Sequence, residues 1–266
     1  MSVGRRAAAA LLATLAFSAG GAAGQSLAAR VQQVRDGTVR FHFDTRPGVE
    51  ICDQGILMGP HDRVQWSSGS WDDDQGTNCR SGFAEVELAM RDGRVRDVSV
   101  VKRLADRTAG ADDLGAVTAE EAAHYLLGVA HGTSNRRTAQ HAMLTAVLAD
   151  TPDAWRDLLD IARDRSVAEG VRKSALFWVG QEAGDVVTRG LKDVAGSTDE
   201  SQGVRDAAVF ALSRRPAAES VPALMEVART APQMKTRKTA LFWLAQSDDP
   251  RVPSFFEKIL LGAQGG

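Results

Sequence analysis

Val171-Arg172-Lys173-Ser174-Ala175-Leu176-Phe177-Trp178-Val179-Gly180-Gln181 returns twice further along the chain. The copies are Val204-Arg205-Asp206-Ala207-Ala208-Val209-Phe210-Ala211-Leu212-Ser213-Arg214 and Thr236-Arg237-Lys238-Thr239-Ala240-Leu241-Phe242-Trp243-Leu244-Ala245-Gln246, displaced by 33 and then 32 residues. A weaker copy begins at Arg136-Arg137-Thr138-Ala139. A second motif interleaves with the first. Leu158-Leu159-Asp160-Ile161-Ala162 matches Leu191-Lys192-Asp193-Val194-Ala195 and Leu224-Met225-Glu226-Val227-Ala228, with Leu126–Ala130 and Phe256–Leu260 as outer copies. Two motifs keeping one period define a repeated helix pair. Pro152, Pro222 and Pro250 fall where first turns should begin, the place a helix tolerates proline. A helix pair cannot bury its apolar stripe alone, so neighbours must stack into a continuous core. The expected fold is mainly α: an α-solenoid of helix pairs over 114–266, preceded by a smaller domain of another kind.

The pattern Val-Arg-x-x-Ala-Ala/Leu-x-x-Leu, preceded by Leu-x-x-Val-Ala, resembles the HEAT repeat in its short bacterial form. The resemblance implies a solenoid of HEAT-like helix pairs that serves as a binding scaffold, with the second helix of each pair lining a concave surface. It further implies an Asp–Arg ladder. Arg172, Arg205 and Arg237 match its arginine, Asp164 and Asp199 are candidate acidic partners, and Arg237 has no obvious one.

At 100° per residue Val171, Ala175, Trp178 and Val179 share one stripe of the second helix, the expected core face. Phe177 falls about 150° from the centre of that stripe, beside Lys173 and Gln181. Phe210 and Phe242 hold the same place in the next copies, and His141 in the weak one. Two readings are open. The rings fill gaps between repeats, or they form a partly exposed apolar strip flanked by Lys173, Lys238, Gln181, Arg214 and Gln246. An apolar strip with a polar rim suits a protein or peptide partner. Trp178 and Trp243 are expected in the core.

The region before the repeats reads as a small antiparallel β domain over 25–113. Gly82–Met90 and Arg94–Val101 flank Asp92-Gly93, a strong short-range hairpin signal. Phe83, Glu85 and Glu87 alternate with Ala84, Val86 and Leu88, which predicts one solvated and one buried face. Residues 25–33 read as a short helix or a leader, and 47–81 as a long loop with one possible short strand at Arg63-Val64-Gln65-Trp66. Residues 1–24 read as a signal peptide: Arg5 and Arg6, an apolar run Ala7–Phe17 too short to span a bilayer, then small residues ending Ala22-Ala23-Gly24. Export makes a disulfide the expected state of Cys52 and Cys79, the two cysteines of the chain.

Composition narrows the function. With 44% hydrophobic and 25% charged residues the chain is not globally disordered, and a formal charge of −2 gives no global field for nucleic acid. Asp72 and Asp74 have the first spacing of a calcium loop, but the twelfth position is Phe83. Trp66 and Trp71 could stack a sugar or peptide, or pack against the disulfide. His42, His61, His124, His131 and His141 include no pair at metal-ligand spacing on a helix, and no serine-hydrolase elbow or phosphate loop is present. The reading is an exported, periplasmic or secreted, non-enzymatic scaffold without cofactor, metal or membrane span in the mature chain. It binds a protein or peptide, not nucleic acid. The alternative is a ligand or cation site, even an enzymatic one, in the 52–79 loop.

Overall fold

The computed structural model describes residues 25–58, 78–182 and 184–263. The protein is mainly helical with a small N-terminal sheet domain. A short helix α1 (Leu27–Val31) precedes β1 (Gly37–Asp44), β2 (Val49–Cys52), β3 (Gly55–Met58), β4 (Cys79–Ser81), β5 (Phe83–Arg91), β6 (Arg94–Val100) and β7 (Asp112–Ala116). One sheet runs β6-β5-β1-β7, with β7 parallel to β1 and the other pairings antiparallel; a smaller sheet runs β3-β2-β4. Asp92 and Gly93 join β5 to β6 with φ of 55° and 68°. Both residues are left-handed, as a two-residue hairpin turn requires, and the Asp-Gly signal is thereby explained. The 47–81 segment is more ordered than expected, since β2, β3 and β4 lie in it. Cys52 and Cys79 are paired across β2 and β4 and form a disulfide. β7 extends three residues past the expected boundary at 113.

One expectation about the larger sheet fails. Glu85 and Glu87 are not solvated: they are 4% and 6% exposed. Arg40 of β1 reaches Glu85 at 3.3 Å and Glu87 at 2.7 Å, Arg107 also pairs with Glu85, and Thr108 donates its amide and hydroxyl to Glu87 at 2.9 and 2.6 Å. The crossover between β6 and β7 thus lies over this face. Alternation correctly separates two faces, but it cannot say that a later loop covers the polar one.

The helices are α2 (Ala119–Gly132), α3 (Arg136–Ala146), α4 (Ala154–Arg163), α5 (Glu169–Val179), α6 (Asp185–Gly196), α7 (Gln202–Ser213), α8 (Ala217–Thr230), α9 (Met234–Ala245) and α10 (Arg251–Ala263). They pack as pairs: α2 on α3, α4 on α5, α6 on α7 and α8 on α9. First helices touch in the row α2, α4, α6, α8, second helices in the row α3, α5, α7, α9, and α10 lies on α8. Val171, Val204, Ala175 and Ala208 of the first motif and Leu158, Leu191 and Leu224 of the second are all buried. Thr118 caps α2, its hydroxyl accepting from the Glu121 amide at 3.1 Å. The Glu121 carboxylate accepts the Leu27 amide, fastening α1 to α2. Pro222 is not in a first turn but inside α8. It is tolerated because it and Ala218, whose carbonyl loses its donor, are both exposed to water. No helix among the described residues is long and apolar enough to cross a membrane.

Sheet and helices share one apolar core. Val39, Phe41, Phe43, Ala84, Val86, Leu88 and Val98 are continuous with Leu126, Leu127, Ala142 and Met143. α3 lies against β6, where the Thr138 hydroxyl donates to the Arg96 carbonyl at 2.5 Å and His141 Nδ1 sits 3.1 Å from both Asp97 and the Val98 carbonyl. Residues 44–46 run beside 148–150: the Arg46 amide donates to the Leu148 carbonyl at 2.9 Å and the Asp150 amide to the Asp44 carbonyl at 3.2 Å. The sheet therefore covers the end of the first helix pair.

Candidate binding face

Because α3, α5, α7 and α9 stand side by side, equal repeat positions form rows across them. The row Phe177, Phe210, Phe242 is neither core nor fully exposed. Phe177 is 38% and Phe242 57% exposed, and Phe210 is half-buried. Each exposed ring leans edge-on against the tryptophan that follows it, with centroids 5.1 Å apart for Phe177–Trp178 and 5.2 Å for Phe242–Trp243. Phe210 instead crosses to the next pair and meets Trp243 at 5.2 Å. The three rings divide: Phe210 packs on the next pair, while Phe177 and Phe242 are exposed. Trp178 is core as expected, but Trp243 is only half-buried.

A cavity of about 510 Å³ opens beside Phe177 and Phe210. Arg136 and Gln140 of α3 form one side, Lys173, Ser174 and Trp178 line the middle, and Asp206 and Ala207 of α7 complete it. Gly170 and Gly203, 33 residues apart, also line it. A Cβ at Gly203 would lie 2.3 Å from Glu169 Oε1, and one at Gly170 would lie 3.3 Å from Arg136 Cδ. Glycine at this repeat position leaves room for long polar side chains of the preceding pair. Gln140 Nε2 donates to Ser174 Oγ at 3.1 Å, and Asp206 Oδ1 accepts from Gln202 at 2.8 Å and Thr239 at 2.9 Å. Of the rim expected from the sequence, Lys173 lines this cavity. Lys238 occupies the equivalent exposed position two pairs along. Gln181, Arg214 and Gln246 follow the ends of α5, α7 and α9 and lie outside the cavity lining. Arg136, Gln140, Ser174 and Asp206 were not anticipated, though Gly170 and Gly203 carried a signal for them in their spacing.

The ladder arginines have a clear physical job. Arg172 Nε donates to the Ala162 carbonyl at 2.9 Å, Arg205 to the Ser197 carbonyl at 3.2 Å and Arg237 to the Ala231 carbonyl at 2.7 Å. Each therefore satisfies a carbonyl at the C-terminal end of the first helix in its own pair, where orphan acceptors and the negative end of the dipole favour a cation. The acidic partner differs from expectation. Arg172 pairs with Glu200, a contact buried on both sides, and not with Asp164 or Asp199. Asp164 accepts from the Ser166 hydroxyl and amide and lies 2.7 Å from His131 Nε2, which together hold its carboxyl at about 2. The residue 33 beyond Glu200 is Gln233, and both its Oε1 and Arg205 Nε are buried without a partner among the described residues. The rung made once with Glu200 is not repeated where glutamine replaces glutamate.

The repeat period also pairs His124 with Asp157 at 3.0 Å and His131 with Asp164, linking α2 to α4 and to the turn after it. Glu50, Cys52 and Cys79 are close enough to share an ion, but the two sulfurs are bonded to each other and offer no thiolate. Residues 1–24, expected to be a signal peptide, the possible strand at 63–66, and His61, Trp66, Trp71, Asp72 and Asp74 lie outside the described residues, as does most of the alternative 52–79 site. No protein-family model matches the chain, and no curated protein matches it.

Proposed function

We propose that this chain is an exported, non-enzymatic scaffold whose helix pairs form a short HEAT-like α-solenoid, and that the face built by α3, α5, α7 and α9 binds a protein or peptide. One observation carries this reading: Phe177, beside a cavity of about 510 Å³, and Phe242, further along the same row, leave large apolar surface in water, although their helices have a core stripe on the other side. Isolated exposed phenylalanines need no explanation, but a row of them at one repeat position beside a cleft marks an interaction surface. Three further features support the architecture: the two helix rows, the sheet that covers the first pair and the arginines that close successive first helices. The Cys52–Cys79 disulfide supports an oxidising compartment.

The test is site-specific photocrosslinking in the producing cell. Benzoylphenylalanine at position 177 or 242 is expected to trap a discrete polypeptide, and the same probe at Val186, exposed on a first helix, is not. Crosslinks from 186 and none from 177 or 242 would move binding off this face. No crosslink from any of the three positions in the folded protein would remove the binding reading.

A further inference from the structure

The charge around the cavity points to the chemistry of its partner. The chain as a whole is slightly acidic, with a formal charge of −2. The second-helix face has the opposite bias. Arg136, Lys173 and Lys238 stand on it with Lys235, and Arg214 follows one turn after Phe210; all five are exposed. None has a carboxylate partner among the described residues. Two carboxylates oppose them, Glu169 and Asp206, and Asp206 is occupied by two hydrogen bonds. On the first-helix row Arg163 pairs with Asp193 at 3.2 Å and Lys192 with Glu226 at 2.6 Å, while Arg189 and Arg229 have no carboxylate partner among the described residues. Unpaired positive charge on the second-helix face thus stands beside the exposed rings.

Resting on the binding reading above, we propose that the partner is a short acidic peptide segment carrying one aromatic or branched apolar side chain. The apolar side chain seats in the cavity against Phe177 and Phe210, and flanking carboxylates face Lys173 and Arg136. A cavity of this volume admits one large side chain with its adjoining backbone. Fixed cations at the rim steer an acidic partner and set its orientation, while the buried ring supplies most of the affinity. A nucleic acid fits less well, because its phosphates recur at every nucleotide and Asp206 stands within the cavity lining.

The test is a selection of random dodecamer peptides on the immobilised full chain, followed by fluorescence anisotropy of the enriched peptides and of a 20-mer oligothymidylate. The expected consensus is one aromatic or aliphatic residue flanked by Asp or Glu. Binding should weaken about fivefold to tenfold in Lys173→Glu and at raised salt, and about tenfold or more in Phe177→Ser. Both substitutions are at exposed positions, so retained helicity checks the fold. A basic or uncharged consensus that still depends on Phe177 would overturn the acidic partner and leave the binding face standing. Tight oligothymidylate binding lost in Lys173→Glu would overturn the peptide in favour of a nucleic acid. No enriched class, or one indifferent to both substitutions, would overturn the partner and the binding face together.

Discussion

At its N-terminal end the row of helix pairs abuts a four-stranded sheet, whereas at its C-terminal end it stops against α10, which lies on α8. The same repeat motif behaves differently in the two places. α5 buries Val171, Arg172, Ala175, Leu176, Trp178 and Val179, but α9 buries only Thr236, Ala240 and Leu244. Leu260 and Leu261 near the end of α10 are 64% and 69% exposed. A repeat sets which residues could be buried, and its neighbours decide which are. The N-terminal end also holds contacts that occur once: the Arg40–Glu85–Glu87 cluster, His141 against β6 and the disulfide. Stability should therefore grade along the molecule, and substitutions can break or sharpen that gradient.

The largest effect is expected at Glu87. Glu87→Ala leaves Arg40 with one close partner fewer and frees the Thr108 amide and hydroxyl, in a site where both charged side chains are nearly buried. Truncating one member of a buried charge cluster costs about 3–5 kcal/mol. Denaturant unfolding followed by helix signal should register this loss, because the sheet and first helix pair share a core. A loss confined to strand signal, or below about 1 kcal/mol on this scale, would mean that the sheet does not anchor the helices. Burial pushes the Glu87 carboxyl up, but its bonds from Thr108 and Arg40 outweigh that and hold it below the usual range. A depressed folded value gives stability that is present above the unfolded carboxylate range and lost as pH falls. Acid should loosen the N-terminal end, and Glu87→Ala should remove part of that dependence.

Next come the ladder arginines, which place the same side chain at three points on the gradient. Arg172→Ala breaks a buried ion pair and a carbonyl bond, and should cost about 2–4 kcal/mol. Arg237→Ala, where the side chain is half-buried and bonds carbonyls alone, should cost about 1 kcal/mol. Gln233→Glu should act in the opposite sense. It places a carboxylate at the repeat position that Glu200 holds 33 residues earlier, and a pairing with Arg205 like that of Glu200 with Arg172 should raise stability by about 1 kcal/mol. Equal costs at Arg172 and Arg237 would flatten the gradient, and a destabilising Gln233→Glu would show that position 233 does not stand to Arg205 as Glu200 stands to Arg172.

The gradient also marks what could be read from the sequence. Phe177, Phe210 and Phe242 were visible as an off-core row because a repeat lets each copy confirm the others. Their differing exposure was not, since it depends on which tryptophan stands next to each ring: Trp178 is buried and Trp243 is not. Glu200 escaped notice because the ladder borrows its acid from the following pair, outside the motif. β7 was illegible for a different reason. Asp-Asp-Leu-Gly-Ala has no alternating apolar pattern, and only pairing with β1 makes it a strand. The cover over Glu85 and Glu87 depends likewise on a contact between Arg107 and a strand 22 residues earlier.

Tyr125, the single tyrosine, lies on α2 and reports on the N-terminal end without a label. Burial pushes its hydroxyl up to about 12. A phenol raised in the folded state gives stability that is complete below the unfolded value near 10 and is lost as pH rises towards 12. Ultraviolet titration should show one late tyrosinate transition in the native protein, moving to about 10 in denaturant. In Glu87→Ala the transition should fall between these limits if α2 loosens with the sheet. An unchanged late transition in that variant would separate α2 from the sheet and flatten the gradient.

The smallest effect on stability is expected at Phe242, and it bears most directly on function. At 57% exposure its ring leans on Trp243, with centroids 5.2 Å apart, so Phe242→Ser should change unfolding free energy by less than about 1 kcal/mol. Phe210→Ser removes a half-buried ring bridging α7 to Trp243 of α9 and should cost about 2 kcal/mol. If the row were only a structural ladder, the two costs would be similar and binding would fall no faster than stability. If it is a surface, Phe242→Ser should keep the fold and lose the crosslink from position 177 only when the partner spans both rings. That pair of readings, one from denaturation and one from crosslinking, separates a residue that holds two helices together from one that is kept for something outside the chain.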